Sequence, residues 1–222
     1  MNYAPNLFLG GVGNSARDCD IFDSPQICVF MQGNDHSLED SNIHDCVQQC
    51  SDCGAFYMGR EWTYRGNRIT GNLWYNLDSI FAEVHGTQAI YLDDMGSSFY
   101  MAHNTFDGVG NVLLLGGGRD NVFVNNFINR SHDKPVLFDN RGQGWDRRGC
   151  KKGGDPFDFL SRVPYDQPGI WSKYPHLVNI THDDPCAPKY NVISNNIMCN
   201  GARSLVSEMF PHNNAENNTL CR

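Results

Sequence analysis

Asp93 and Asp94 stand side by side at the end of the run Ile90-Tyr91-Leu92-Asp93-Asp94. Adjacent carboxylates repel one another unless something uses them. Two carboxyl groups flanking one bond are the apparatus of glycosidic hydrolysis, close together for retention and wider apart for inversion. Further charged groups recur at comparable places along the chain: His36, Arg60, Glu61, Arg119, Asp120, Asp139 and Arg141, with the aromatic Trp62 and Trp145 beside them. Aromatic faces stack on sugar rings and carboxylates move protons. An Asp at a strand end also serves as a turn residue bonded to its own backbone, and a carboxylate cluster can hold calcium. These uses remain open for each Asp taken singly.

What brings the groups together is a repeat. Short apolar runs, each followed by Gly, Asn, Asp or Gln, return along the chain: Leu7-Phe8-Leu9, Val29-Phe30-Met31, Phe56-Tyr57-Met58, Ile90-Tyr91-Leu92, Leu113-Leu114-Leu115 and Val136-Leu137-Phe138. Leu92, Leu115 and Phe138 lie 23 residues apart, while Met31, Met58 and Leu92 are spaced by 27 and 34, which implies loop insertions. Between the runs an Asn repeatedly precedes an apolar pair, at Asn42, Asn67, Asn104, Asn126 and Asn196. Brief β-branched and aromatic runs bounded by turn residues read as strands, and a fixed period of this length reads as a solenoid. The expected fold is all-β, a right-handed parallel β-helix of about six coils forming one domain over residues 1–222. The Asn residues are expected to take left-handed turns and to stack their amides in an internal ladder. A leucine-rich repeat is disfavoured because neither its leucine pattern nor a regular helix is present.

Equivalent residues of successive coils lie about 4.8 Å apart, so aligned anchors form columns. The column after the anchor reads Gly10, Gln32, Gly59, Asp93, Gly116, Asp139, and the next reads Gly11, Gly33, Arg60, Asp94, Gly117, Asn140. Asp93 is thus flanked by two glycines, which leave room for a close approach. Asp93 and Asp139 are expected roughly 9.6 Å apart, two coils, and Glu61 lies one coil from Asp93 with an offset of two positions, so either pair is feasible and the stereochemical outcome stays open. The period breaks at 141–191, which reads as a lid-like insertion with a short helix, Asp155 its N-cap and Pro156 its first residue. It also carries a basic patch at 147–152.

The composition narrows the partners. A net charge of −8 and a pI near 5.3 disfavour nucleic acid and anionic membranes, and no apolar run approaches the length of a bilayer span. Residues 1–5 contain neither the basic nor the apolar region of a secretory leader. Nine Cys leave at least one unpaired. Cys46, Cys50 and Cys53 make a poor zinc pattern, and a disulfide such as Cys46 to Cys53 is the plainer expectation. No metal or other cofactor is expected apart from the calcium alternative.

The stretches 54–63, 88–94, 116–121, 139–145 and 174–177 resemble recurring blocks of large bacterial β-helix proteins of glycoside hydrolase family 141, over about Leu7 to Val206. The resemblance implies carboxylate catalysis on a polysaccharide or oligosaccharide, with Asp93 the best-matched residue and Asp52 or Asp94 its partner. Characterised members include a fucosidase and a xylan-cleaving enzyme. Polysaccharide-acting members are exported, so export is implied as well. Members run to several hundred residues, so a fragment or shortened form is expected. A non-catalytic glycan-binding solenoid and a polysaccharide lyase are the competing readings, the lyase using Arg60 or Arg119 as its base.

Overall fold

The computed structural model describes residues 4–80, 86–147, 149–201 and 203–221. Residues 1–3 of the segment inspected for a leader, and Arg148 of the basic patch, lie outside them. The chain is a parallel β-helix whose strands form three parallel sheets. The first contains β1 (Leu7–Val12), β4 (Val29–Asn34), β7 (Cys53–Gly59), β10 (Thr87–Asp93), β13 (Asn111–Gly116) and β16 (Val136–Asp139). The second runs β2 (Ser15–Arg17), β5 (Ser37–Glu39), β8 (Asn67–Thr70), β11 (Phe99–Ala102), β14 (Val122–Val124), β17 (Val192–Ser194). The third runs β3 (Asp20–Phe22), β6 (Asn42–His44), β9 (Leu73–Tyr75), β12 (Thr105–Asp107), β15 (Phe127–Asn129), β18 (Ile197–Cys199), β19 (Thr219–Leu220).

The three-residue strands of the second and third sheets turn one central side chain to the core, and the four-residue β8 and β11 add Asn67 and Phe99 to theirs. Leu38, Ile69, Met101, Phe123 and Ile193 make one interior column, and Ile43, Trp74, Phe106, Ile128 and Met198 another. The longer first-sheet strands turn two residues inward. Met58, Leu92, Leu115 and Phe138 stack in register, with Phe56, Ile90, Leu113 and Val136 beneath them. All are buried. Burial of each such side chain stabilises by about 1.5–3 kcal/mol.

The turn between the second and third sheets is two residues long in every coil. Its first residue is left-handed: Asp18, Asp40, Gly71, His103, Asn125, Asn195 or Asn217. Its second is the ladder residue. The backbone N–H of Asn72 donates to Oδ1 of Asn104 (3.1 Å), that of Asn104 to Asn126 (3.0 Å), that of Asn126 to Asn196 (3.0 Å) and that of Asn196 to Asn218 (3.0 Å). The two tasks expected of one Asn are therefore divided between neighbours. The ladder amide must point inward, while the left-handed residue before it redirects the chain.

Residues 140–191 separate β16 from β17 and contain one helix, α1 (Asp155–Ser161), followed by short 3-10 turns. The N-cap is Gly154 rather than Asp155, and Pro156 falls one place later than expected. The insertion has a small core of its own, formed by Leu160, Tyr174, Leu177 and Ile180 around Trp62 and Met95 of the coils. Four disulfides are present: Cys28–Cys46, Cys50–Cys53, Cys150–Cys186 and Cys199–Cys221, with Cys19 free. The expected Cys46–Cys53 pairing is not formed. Cys28 at the start of β4 lies across the coil corner from Cys46, with Cα atoms 5.8 Å apart, and takes it instead.

Candidate functional site

The outward face of the first sheet builds the site. Tyr57, Tyr91, Leu114 and Leu137 stack in register as its floor. Two residues further on, on the same face, the column reads Gly59, Asp93, Gly116, Asp139. The cleft above them has a volume of about 460 Å³ and is lined by Asp52, Arg60, Gln88, Asp93, Asp94, Asp139, Arg141 and Trp145 as well as the floor.

Arg141 is the hub. Its Nη1 donates to Asp93 Oδ1 (2.6 Å) and Asp94 Oδ1 (2.9 Å), and its Nη2 donates to Asp139 Oδ2 (2.9 Å). To reach Asp93 the guanidinium crosses Gly116, where a Cβ would lie 2.9 Å from Cζ. The room expected beside Asp93 is thus filled on one side by this arginine. On the other side, a Cβ on Gly59 would meet the Asp93 carbonyl oxygen at 2.5 Å, so glycine is required there as well. Tyr57 donates its hydroxyl to Asp93 Oδ2 (2.7 Å), and Arg60 stands 3.3 Å from Asp94 Oδ2 and 3.7 Å from Asp93 Oδ2. Trp145, 73% exposed, lies over the Arg141 guanidinium at 5.1 Å.

Burial first, and then the neighbouring Asp93 charge, push the Asp94 carboxyl above the ordinary range despite its bond to Arg141. Burial acts to lower the Arg141 guanidinium, but its bonds to Asp139 and Asp94 outweigh this and raise it. Tyr91 is raised by burial and by the charges of Asp93 and Asp52, and its hydroxyl donates to Asp52 Oδ1 (2.7 Å). Asp52 precedes β7 and Asp93 ends β10, so the two stand towards opposite ends of the cleft, linked through Tyr91, which lies two residues before Asp93.

Five residues expected at the groove stand elsewhere, each for a structural reason. His36 is fully buried at the turn into β5. Its Nδ1 accepts from the Asn14 N–H (3.1 Å), so the proton sits on Nε2, facing Gln32 O at 3.2 Å. Trp62 is fully buried beneath Phe157 of α1, ring centroids 5.0 Å apart, and anchors the insertion. Arg119 pairs with Asp183 of the insertion. Asp120 takes a left-handed turn and pairs with buried Arg65 (2.6 Å). Glu61 is buried, accepts from Thr63, and faces a neighbouring cleft. The floor tyrosines and Gln88 were not anticipated, although the register that aligned the carboxylates also aligns Tyr57 and Tyr91.

Among the described residues no group of three His, Cys, Asp or Glu is placed to hold a metal ion, and no helix is long and apolar enough to cross a membrane. Fold and site together describe a parallel β-helix with an arginine-centred carboxylate cleft on one face. Comparison with protein-family models, with curated proteins and with solved structures returns no match for this chain.

Proposed function

We propose that this β-helix is a carbohydrate-active protein that hydrolyses glycosidic bonds of a polysaccharide in the Arg141 cleft. The observation that carries the reading is that Asp93 and Asp94 bond the same nitrogen of Arg141, at 2.6 and 2.9 Å. Those two oxygens are therefore no more than about 5.5 Å apart, on the retaining side of the wider spacing that an inverting pair needs. Asp94, held protonated more readily by burial and by its neighbour, gives its proton to the leaving glycosidic oxygen. Asp93 attacks the anomeric carbon to form a glycosyl ester. Water then cleaves that ester, with Asp94 taking the proton back. Trp145 offers its exposed face to a sugar ring beside the reacting bond. The disulfides fit an oxidising compartment, which agrees with the export implied by the resemblance to glycoside hydrolase family 141.

The test is release of reducing ends from a plant and algal polysaccharide panel by wild type, Asp93→Asn and Asp94→Asn. Turnover reduced at least about 100-fold in both variants is expected. Undiminished turnover in either variant removes that residue from the chemistry. Binding without turnover is the second reading. It is favoured by Asp93 having a partner on each oxygen, Arg141 on Oδ1 and Tyr57 on Oδ2, and folded wild type that binds a glycan but releases nothing would select it.

A further inference from the structure

A second and larger cleft, about 770 Å³, opens beside the first, between α1 and the outer face of the first three coils. It shares Tyr57 and Arg60 with the carboxylate cleft. Along one wall the rings of Phe8, Phe30 and Tyr57 follow one another coil by coil, with centroids 5.8 and 5.5 Å apart. Phe159 of α1 also lines the cleft, with the Arg162 guanidinium 4.9 Å from its ring centre. Glu61 lines the same cleft, a buried carboxyl that burial pushes upward against its bonds to Thr63.

Rings in a row suit the C–H faces of successive sugars, and a carboxyl and guanidiniums among them suit their hydroxyls. Arg60 and Arg162 are matched by Glu61 and Asp155 in the lining, so the cleft carries little net charge. We propose that this cleft is an extended subsite that holds the continuing part of a neutral glycan chain whose reacting bond lies in the Arg141 cleft. The inference rests on the glycan reading of the carboxylate cleft. It adds a location for the rest of the chain, its neutral class, and Phe30, Phe159 and Glu61 as the residues that select it. Tyr57 joins the two halves, its ring facing one cleft and its hydroxyl held by Asp93 of the other.

Neutral gluco- and xylo-oligosaccharides of two to six units, with oligouronates of equal length, are titrated calorimetrically onto the full chain carrying Asp94→Asn. Phe30→Ala, Phe159→Ala and Glu61→Gln are added one at a time, and each melting temperature is recorded. Affinity rising about tenfold or more from two to six neutral units, with that gain lost in Phe30→Ala and Phe159→Ala while two-unit binding persists, is the expected result. Phe159 lies half-exposed on α1, so its variant remains informative if Phe30→Ala unfolds. Affinity independent of length, or unchanged in both Phe variants, overturns the subsite even where wild type hydrolyses glycans. Tighter binding of oligouronates overturns the neutral class. Length-dependent, Phe-dependent binding by a wild type that hydrolyses nothing leaves the subsite standing and removes only the hydrolase.

Discussion

Arg141 lies across Gly116, with its Cζ 2.9 Å from where a Cβ would stand at that glycine. The arginine comes from the loop after β16 and reaches Asp93 of β10 by passing over the strand between them. A Cβ there also stands 2.8 Å from the Leu92 carbonyl oxygen, so Gly116→Ala strains the strand as well as forcing the guanidinium aside. Overpacking of this kind costs about 1–3 kcal/mol, and the bond to Asp93 is lost with it. A lowered melting temperature and weakened glycan binding are expected together. A variant as stable and as active as wild type contradicts the crossing.

Arg141→Met takes from Asp93, only 7% exposed, its hydrogen-bonded cation and leaves it the exposed Arg60 at 3.7 Å. Removing one partner of a buried pair costs about 3–5 kcal/mol, chiefly because the remaining charge is stranded. Adding Asp93→Asn to Arg141→Met removes that charge, so the double variant is expected to regain much of the loss. Urea unfolding of the wild type, both single variants and the double variant measures the coupling. Additive losses would show that the two groups do not depend on each other.

Acid is expected to loosen the insertion before the coils. Lys189, helped by Arg119, holds the Asp183 carboxyl down at about 2 against the opposing effect of partial burial. A depressed carboxyl stabilises the folded state above its unfolded value and loses that contribution as the pH falls to the folded one. The window therefore runs from about pH 4 to about pH 2. Tryptophan emission reports it, because Trp62 and Trp171 belong to the core that docks the insertion. Flat emission through that window, with the coils intact by circular dichroism, counts against Asp183 as the anchor.

Asn126 receives the backbone N–H of Asn104 and passes its own Nδ2–H to Asn196 Oδ1 at 2.9 Å. Asn126→Leu orphans polar groups on both sides, each worth about 1–3 kcal/mol when buried. Chemical denaturation is expected to show a loss larger than that for Asn42→Leu at an exposed strand position, the control.

Cys150–Cys186 closes 36 residues of the insertion. Replacing both by Ser is expected to cost about 2–4 kcal/mol, read as earlier proteolysis within 141–191 while the coils persist. Equal resistance to protease means that packing on Trp62 alone holds the insertion down.

Much of the fold is legible because a constant coil pitch turns sequence spacing into columns. The first-sheet runs around Leu92, Leu115 and Phe138 are long enough to read directly, and their alignment carries Asp93, Asp139 and Arg141 to one cleft. Strands with one inward residue are harder to read, since Ile43 or Ile69 alone makes no period. The anchors of the insertion are invisible for another reason. Trp62, Arg119 and Asp120 sit at the corner after the first sheet, as Arg60 and Arg141 do, and only the path of the insertion decides which it covers. Cys28 and Cys46 are 18 residues apart, and nothing local pairs them until the corner between the third and first sheets closes.

The two-residue turn at the Asn ladder keeps its length in every coil, whereas the corner where the first sheet hands over to the second ranges from a few residues to the whole of 140–191. Even the longest excursion ends just before β17, and Asn196 then takes its place in the ladder, its Oδ1 receiving the Asn126 N–H at 3.0 Å. The ladder thus acts as a fixed spindle. Segments at the opposite corner can be lengthened or exchanged without disturbing the winding, so a new specificity can be acquired by replacing one loop while the coils keep their register.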